Sequence, residues 1–133
     1  MIEYTVSKLK KFDDERGSVL HGMKFNDEGS YGIKEVYFST VKYGFYKGWK
    51  KHHKMVLNLI VIEGKVLFYL ANNQFNEFKE IIICKNDLKR ITIMPNQWVS
   101  FTSLINPSSK IMNIANLTNK EDITDNLPFF KPN

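Results

Sequence analysis

The sequence predicts an all-β domain, a sandwich, jelly roll or barrel, on three observations. Its apolar runs are short and rich in Ile, Val, Phe and Tyr, the composition of pleated, half-buried surfaces. Clusters of Gly, Asn, Asp and Pro recur between the runs about every ten residues, the spacing of consecutive antiparallel strands. No window repeats apolar residues at intervals of three and four over a dozen positions, so no long helix is expected. At 133 residues and 15.6 kDa the chain has the size of one compact unit, and a single domain is predicted over 1–133.

Candidate strands follow in order. The first two, 4–9 and 18–23, are separated by D-D-E-R-G, and the third, 33–40, carries I-K-E-V-Y-F-S-T. Strands 55–62 and 65–70 flank Glu63-Gly64. Glycine supplies the positive φ of a tight two-residue turn, so these two are expected to form a hairpin. Strand 77–84 follows Asn72-Asn73, 90–93 follows Asn86-Asp87, 98–103 follows Pro95-Asn96, and 110–117 follows Asn106-Pro107; each break is made of residues that favour turns. Only 119–126 is expected to form a helical turn.

Composition and charge narrow the function classes. With 43% hydrophobic, 14% aromatic and 25% charged residues the chain is not a disordered one. No stretch approaches the roughly 20 apolar residues of a membrane span, and the opening M-I-E-Y-T-V-S-K-L-K-K-F lacks the apolar block of a signal peptide, so no membrane partner is expected. Cys84 is the only cysteine and cannot make an internal disulfide, which points to a reducing cytoplasm. Closing a run of three isoleucines, it reads as a buried small hydrophobe rather than a nucleophile. Nineteen basic against fourteen acidic residues give a net charge of +5. Only Arg16 and Arg90 are arginines, however, and the lysines are scattered. Bidentate reading of bases and phosphates relies on arginine's planar fork, so no nucleic acid partner is expected, and the charge fits a solvated surface or a small anionic ligand.

The densest polar cluster is K-G-W-K-K-H-H-K over 47–54, with two of the three histidines and four lysines in eight residues. Alternate side chains of an extended strand share a face, which groups His52 with Lys50 and Lys54, and His53 with Lys51. Whichever set faces inward holds an imidazole beside ammonium groups. Nearby cations keep an imidazole neutral, the state that a general base requires. The competing reading is a solvated strand edge on which charge blocks aggregation. Metal binding is disfavoured, because adjacent histidines on a strand diverge and His21, the third histidine, is distant in sequence. There is no G-x-S-x-G elbow, glycine-rich phosphate loop or C-x-x-C. The aromatics Tyr37, Trp49, Tyr69 and Trp98 are core residues by default, although their polar tips would also suit a pocket wall.

The order D-D-E-R-G-S, I-K-E-V-Y-F-S, K-G-W-K-K-H-H-K-M, I-E-G-K-V-L-F-Y-L, I-M-P-N-Q-W-V-S-F and N-I-A-N-L-T-N resembles the dTDP-4-dehydrorhamnose 3,5-epimerase superfamily of cupins, over about 12–127. It is most similar to the short members of bacterial surface-polysaccharide pathways, such as those of lipopolysaccharide O-antigen, and shares the layout of the dTDP-sugar 3,4-ketoisomerases. The resemblance implies a cupin-type β jelly roll, usually a cytoplasmic homodimer. It implies no metal and no cofactor, and an isomerase acting on a nucleotide-linked 4-keto sugar. The implied chemistry is abstraction of a proton next to the carbonyl, followed by reprotonation.

The ketoisomerases carry R-G-(F/W)-H-x-H-K before this turn. Counted back from Gly64 without gaps, Lys47 falls at the arginine, Gly48 at the glycine, Trp49 at the aromatic residue and His52 at the second histidine, which resembles the catalytic base. Lys50 stands where the family has its first histidine. Three readings follow. Lys50 acts as an enolate-stabilising cation, or His53 substitutes from a shifted register, or the chain is a sugar-nucleotide-binding cupin without activity. A metal-dependent cupin is a further alternative. Tyr37 resembles a tyrosine lining the ketoisomerase pocket, and Arg16 resembles the arginine of the epimerases' D-x-R-G motif near the nucleotide diphosphate. In this reading Arg16, Lys47 and Lys51 would hold a diphosphate, and Trp49 or Trp98 would pack on the base.

Overall fold

Twelve strands organise the computed structural model, which describes residues 1–133: β1 (Tyr4–Lys8), β2 (Lys10–Asp14), β3 (Gly17–His21), β4 (Glu35–Lys42), β5 (Tyr46–His52), β6 (Leu57–Glu63), β7 (Lys65–Ala71), β8 (Phe78–Cys84), β9 (Lys89–Ile93), β10 (Trp98–Ser103), β11 (Ser108–Ala115) and β12 (Thr124–Asn126). They form two five-stranded antiparallel sheets, β1-β9-β6-β11-β4 and β12-β5-β10-β7-β8, packed face to face as a jelly roll, with β2-β3 as a separate ribbon. The all-β prediction holds. Strands β2 and β12 lie outside the candidate ranges, because their charged sequences hide the period of two, and β5 covers most of the 47–54 cluster treated as extended. The segment 119–126 gives one 3-10 turn at Asn119–Glu121 and then pairs with β5 in extended form.

The hairpin expected at Glu63-Gly64 is not there. β6 pairs with β9 and β11, whereas β7 pairs with β10 and β8 in the other sheet. The turn is a corner at which the chain crosses between layers. Both runs are almost wholly buried, and interior strands need a partner on each edge to satisfy their backbone groups. Gly64 has φ 89°, and a Cβ there would run into Ser109 Oγ. The following Lys65 N–H donates to the same Ser109 Oγ at 3.0 Å. A hairpin does form at the Asn72 break, between β7 and β8. There Asn72 Oδ1 accepts the Asn76 and Glu77 N–H groups at 3.0 and 3.1 Å.

Leu57, Leu59 and Val61 of β6, Ile91 and Ile93 of β9, and Val66, Phe68 and Leu70 of β7 interdigitate as the main core. Burial of each such side chain stabilises the fold by about 1.5–3 kcal/mol. Arg90 crosses the outer face of the first sheet, only 2% exposed. Its guanidinium donates to Asn58 Oδ1, Gly22 O and Glu28 O at 3.1, 2.7 and 2.7 Å, pinning the 22–29 loop. No helix is long and apolar enough to cross a membrane. Cys84 is half-buried at the end of β8 rather than fully inside.

Candidate active site

A cavity of about 250 Å³ lies between β4, β6 and β11 of one sheet and β5, β10 and β12 of the other. Its apolar walls are Leu57, Leu59, Val99, Phe101 and Ile111. Its polar groups come from Lys47, Lys50 and His52 on β5, Tyr37 and Ser39 on β4, Asn113 on β11 and Asn126 on β12. The alternation along β5 places Lys50 and His52 inside and Lys51 and His53 outside, as the strand period requires. Lys47 joins the inner set because β5 carries one extra residue between Lys47 and Lys50, opposite Val99–Phe101 of β10. Gly48, at φ 98°, touches the β10 backbone there, and a Cβ would meet the Val99 carbonyl oxygen.

His52 has a carboxylate partner that the sequence did not disclose. Its Nδ1 lies 2.6 Å from Oδ2 of Asp122, whose side chain is fully buried. The other oxygen, Oδ1, accepts the backbone N–H groups of Lys54 and Met55 at 2.9 and 3.2 Å. A carboxylate only accepts, so Nδ1 carries the proton and a neutral His52 keeps its lone pair on Nε2, which has no protein partner. Burial, aided by the Lys50 charge, holds the imidazole below its ordinary pKa of 6.5, although Asp122 pulls the other way. Burial also pushes the Asp122 carboxyl upward, but its bonds from His52, Lys54 and Met55 together keep it below the usual carboxylate value. At neutral pH the pair is thus an uncharged imidazole on an ionised carboxylate, the resting state of a general base.

Across the cavity the Tyr37 hydroxyl accepts from Asn113 Nδ2 at 2.8 Å and points its own hydrogen at Met55 Sδ, 3.6 Å away. Burial first, then the charges of Glu35 and Asp122, raise its pKa, so it stays a neutral donor. No carboxylate pairs with Lys47 or Lys50. Two unpaired ammonium groups, a neutral imidazole and a phenol in one apolar cleft suit an anionic ligand with a reactive, polarisable centre.

The remaining residues singled out in the sequence lie elsewhere. His53 bonds Asp125 Oδ2 at 2.8 Å on the outer face, where Lys51 reaches Asn73 Oδ1 at 2.8 Å. Trp49 and Trp98 are buried in an aromatic cluster on the outer face of the second sheet, away from the cavity. The reason is the same alternation: Trp49 precedes inward Lys50, and Trp98 pairs with outward Lys51. Arg16 is exposed at the tip of the β2-β3 ribbon and pairs with Asp14 at 2.8 Å. Ser39, Asn113, Asn126 and Asp122 carried no local signal, because the fold brings them in from segments distant in sequence. No group of three or more His, Cys, Asp or Glu residues is placed to hold a metal ion.

Residues 2–131 match the model of the family described as FdtA: WxcM-like, C-terminal. No curated protein matches the sequence. Among solved structures, a dTDP sugar isomerase from Desulfovibrio desulfuricans superposes with a TM-score of 0.84 at 20% identity, covering 96% of this chain and 85% of that one. A 3,4-ketoisomerase from Helicobacter canadensis gives 0.76 at 21% identity, covering 92% and 91%. A dTDP-4-dehydrorhamnose 3,5-epimerase from Bacillus anthracis gives 0.78 at 12% identity, covering 90% and 77%. These likenesses establish the cupin-like jelly roll.

Proposed function

Because the chain belongs to the family described as FdtA: WxcM-like, C-terminal, we propose that it is a nucleotide-sugar isomerase acting on a dTDP-linked 4-keto-6-deoxy sugar. The observation that carries the reading is the His52–Asp122 pair, buried at the wall of a cationic cavity. A 3,4-ketoisomerisation is favoured over epimerisation. The ketoisomerase from Helicobacter canadensis matches the chain over 91% of its own length, against 77% for the Bacillus anthracis epimerase, and at higher identity. The chemistry needs no metal or cofactor. His52 Nε2 takes the proton from C3, next to the carbonyl, and the electron pair moves to O4 as an enediolate. The O3 proton passes to O4 and the proton held on His52 returns to C4, which leaves a ketone at C3 and a hydroxyl at C4. Lys50, with Tyr37, supplies positive charge and a donor to the developing oxyanion, while Lys47 meets the diphosphate. The test is incubation with dTDP-4-keto-6-deoxyglucose and observation of a 3-keto isomer by proton NMR. Binding without turnover would instead select a non-catalytic sugar-nucleotide module.

Lys50 is the residue on which this chain departs from the ketoisomerase pattern, so its variants report on the oxyanion. Lys50→Met is expected to lower kcat by about 10²–10³-fold, the usual effect of removing one oxyanion donor, and Lys50→Arg to retain most activity. Equal rates in Lys50→Met and the unsubstituted protein would show that Lys50 plays no part.

The reading includes a homodimer. The β2-β3 ribbon is exposed along both strands, with Phe12 and Val19 at 60% and 62% exposure, and Phe38 on the outer face of the first sheet is at 64%. These exposed apolar side chains offer a surface on which a second copy of the chain would pack. Sedimentation equilibrium is expected to give twice the 15.6 kDa of the chain; a monomer at micromolar concentration would contradict the dimer.

A further inference from the structure

β12 is a three-residue edge strand lying along β5, with Thr124 opposite His52 and Asn126 opposite Lys50. Strands this short are held weakly by their own pairing, yet the segment around this one presents Asp122 to His52 and Asn126 to the cavity. Its outward polar contacts, His53 and Lys51 with Asp125, are partly solvated and therefore weak anchors. The firm attachment lies just beyond the strand. Leu127 and Trp49 exchange both backbone hydrogen bonds at 2.9 Å. The Trp49 indole N–H donates to the Phe130 carbonyl at 3.1 Å. The Phe129 ring stacks on Tyr46 with centroids 4.0 Å apart and lies parallel to Trp49 at 6.0 Å. Trp49 is fully buried beneath these rings, and its chain neighbour Lys50 lines the cavity.

We infer that Phe129 and Phe130, seated on Trp49, are positioning residues that clamp the 122–127 segment onto β5 and thereby hold Asp122 against His52. None of the three aromatics lines the cavity. Trp49 thus gains a use other than packing on a nucleotide base: it is the anvil of a clamp whose working end is 70 residues away in sequence from His52. The consequence for catalysis is geometric. If the segment lifts, the carboxylate that fixes the imidazole tautomer moves off together with Asn126, while Tyr37, Lys47, Lys50 and His52 stay on their own strands. Only the kinetic half of this inference rests on the proposed isomerase reading.

The test uses the Phe129→Ala/Phe130→Ala double variant and the Nδ1–H proton of His52. Hydrogen-bonded to a buried carboxylate, that proton is shielded from water and gives a downfield proton NMR signal, assigned by its loss in Asp122→Asn. The double variant is expected to lose the signal and to lower kcat by about 10- to 100-fold with KM little changed, the effect of a misplacement on the order of 1 Å. Phe129→Leu/Phe130→Leu, which refills the space, is expected to restore both. A folded double variant with a lower Tm but an intact signal and kcat would reduce the clamp to a purely structural element and overturn the inference. Should the double variant not fold, Trp49→Phe removes the indole N–H donated to Phe130 and part of the ring surface under Phe129 and Phe130. It is expected to broaden the signal, and an unchanged signal would overturn the inference. Unsubstituted protein without turnover, but with a signal that the double variant loses, would remove the isomerase reading and leave the clamp standing.

Discussion

His52→Gln is expected to lower the rate of proton abstraction by about 10²–10⁴-fold, the range for loss of a positioned general base, while nucleotide binding persists. Glutamine keeps a polar side chain on the cavity wall but offers no group that can take a proton near neutral pH. The pH dependence follows from the same residue. Burial, with help from Lys50, holds the folded-state pKa below 6.5, so the base form persists below that value and the acidic limb of the rate profile falls there. Stability follows the same direction. Below 6.5 the unfolded chain binds a proton on His52 more readily than the folded one does. The contribution of the neutral residue is therefore complete above 6.5 and is lost as the pH falls through the folded-state pKa. Urea titrations of the two proteins check this: the pH dependence between about 5 and 7 is expected to be weaker in His52→Gln. A variant that retains its full exchange rate would acquit His52.

Asp122→Asn is expected to cost nearly as much activity, although residue 122 touches no substrate. Oδ1 of Asp122 accepts two backbone N–H groups whose positions are fixed by the chain at Lys54 and Met55. An asparagine must keep its carbonyl oxygen on those donors, because an NH2 group there would face two hydrogens. Its NH2 group then points at His52 Nδ1, which becomes an acceptor. The proton moves to Nε2, and the nitrogen free to act as base disappears. Loss of tautomer control in a comparable pair costs on the order of 10⁴ in kcat. Stability is expected to fall as well, by about 1–3 kcal/mol, because the charged form of the hydrogen-bond network is lost in a buried place. Thermal unfolding and kcat measured together separate the two effects. Unchanged kcat with lowered stability would leave Asp122 as a purely structural residue.

Much of this arrangement was legible in the sequence, and the limits have physical causes. Apolar runs and turn residues identify the buried strands, because a period of two and breaks at Asn, Asp, Gly and Pro are local properties. The same periodicity separates Lys50 and His52 from Lys51 and His53 before any fold is known. What pairs with what is not local. Glu63-Gly64 has the composition of a hairpin turn, yet both flanking strands are interior, so the turn must join sheets instead of closing a ribbon. Trp49 and Trp98 look like ligand platforms by type, but their parity along the strand sends them to the outer aromatic cluster. Asp122 is the most consequential omission. It lies in an unremarkable polar stretch, N-K-E-D-I-T-D, and becomes a partner of His52 only because β12 closes on β5.

The central claim, that His52 on Asp122 removes a proton beside the carbonyl of a nucleotide-linked keto sugar, is tested most directly by solvent exchange. Incubation with dTDP-4-keto-6-deoxyglucose in heavy water, followed by NMR of the recovered sugar, reads the step itself whatever the final product. Deuterium is expected to enter next to the original carbonyl or at the reprotonated carbon, with unsubstituted protein and not with His52→Gln. A sugar recovered without deuterium at C3, C4 or C5, from this and other dTDP-linked 4-keto sugars, would contradict it.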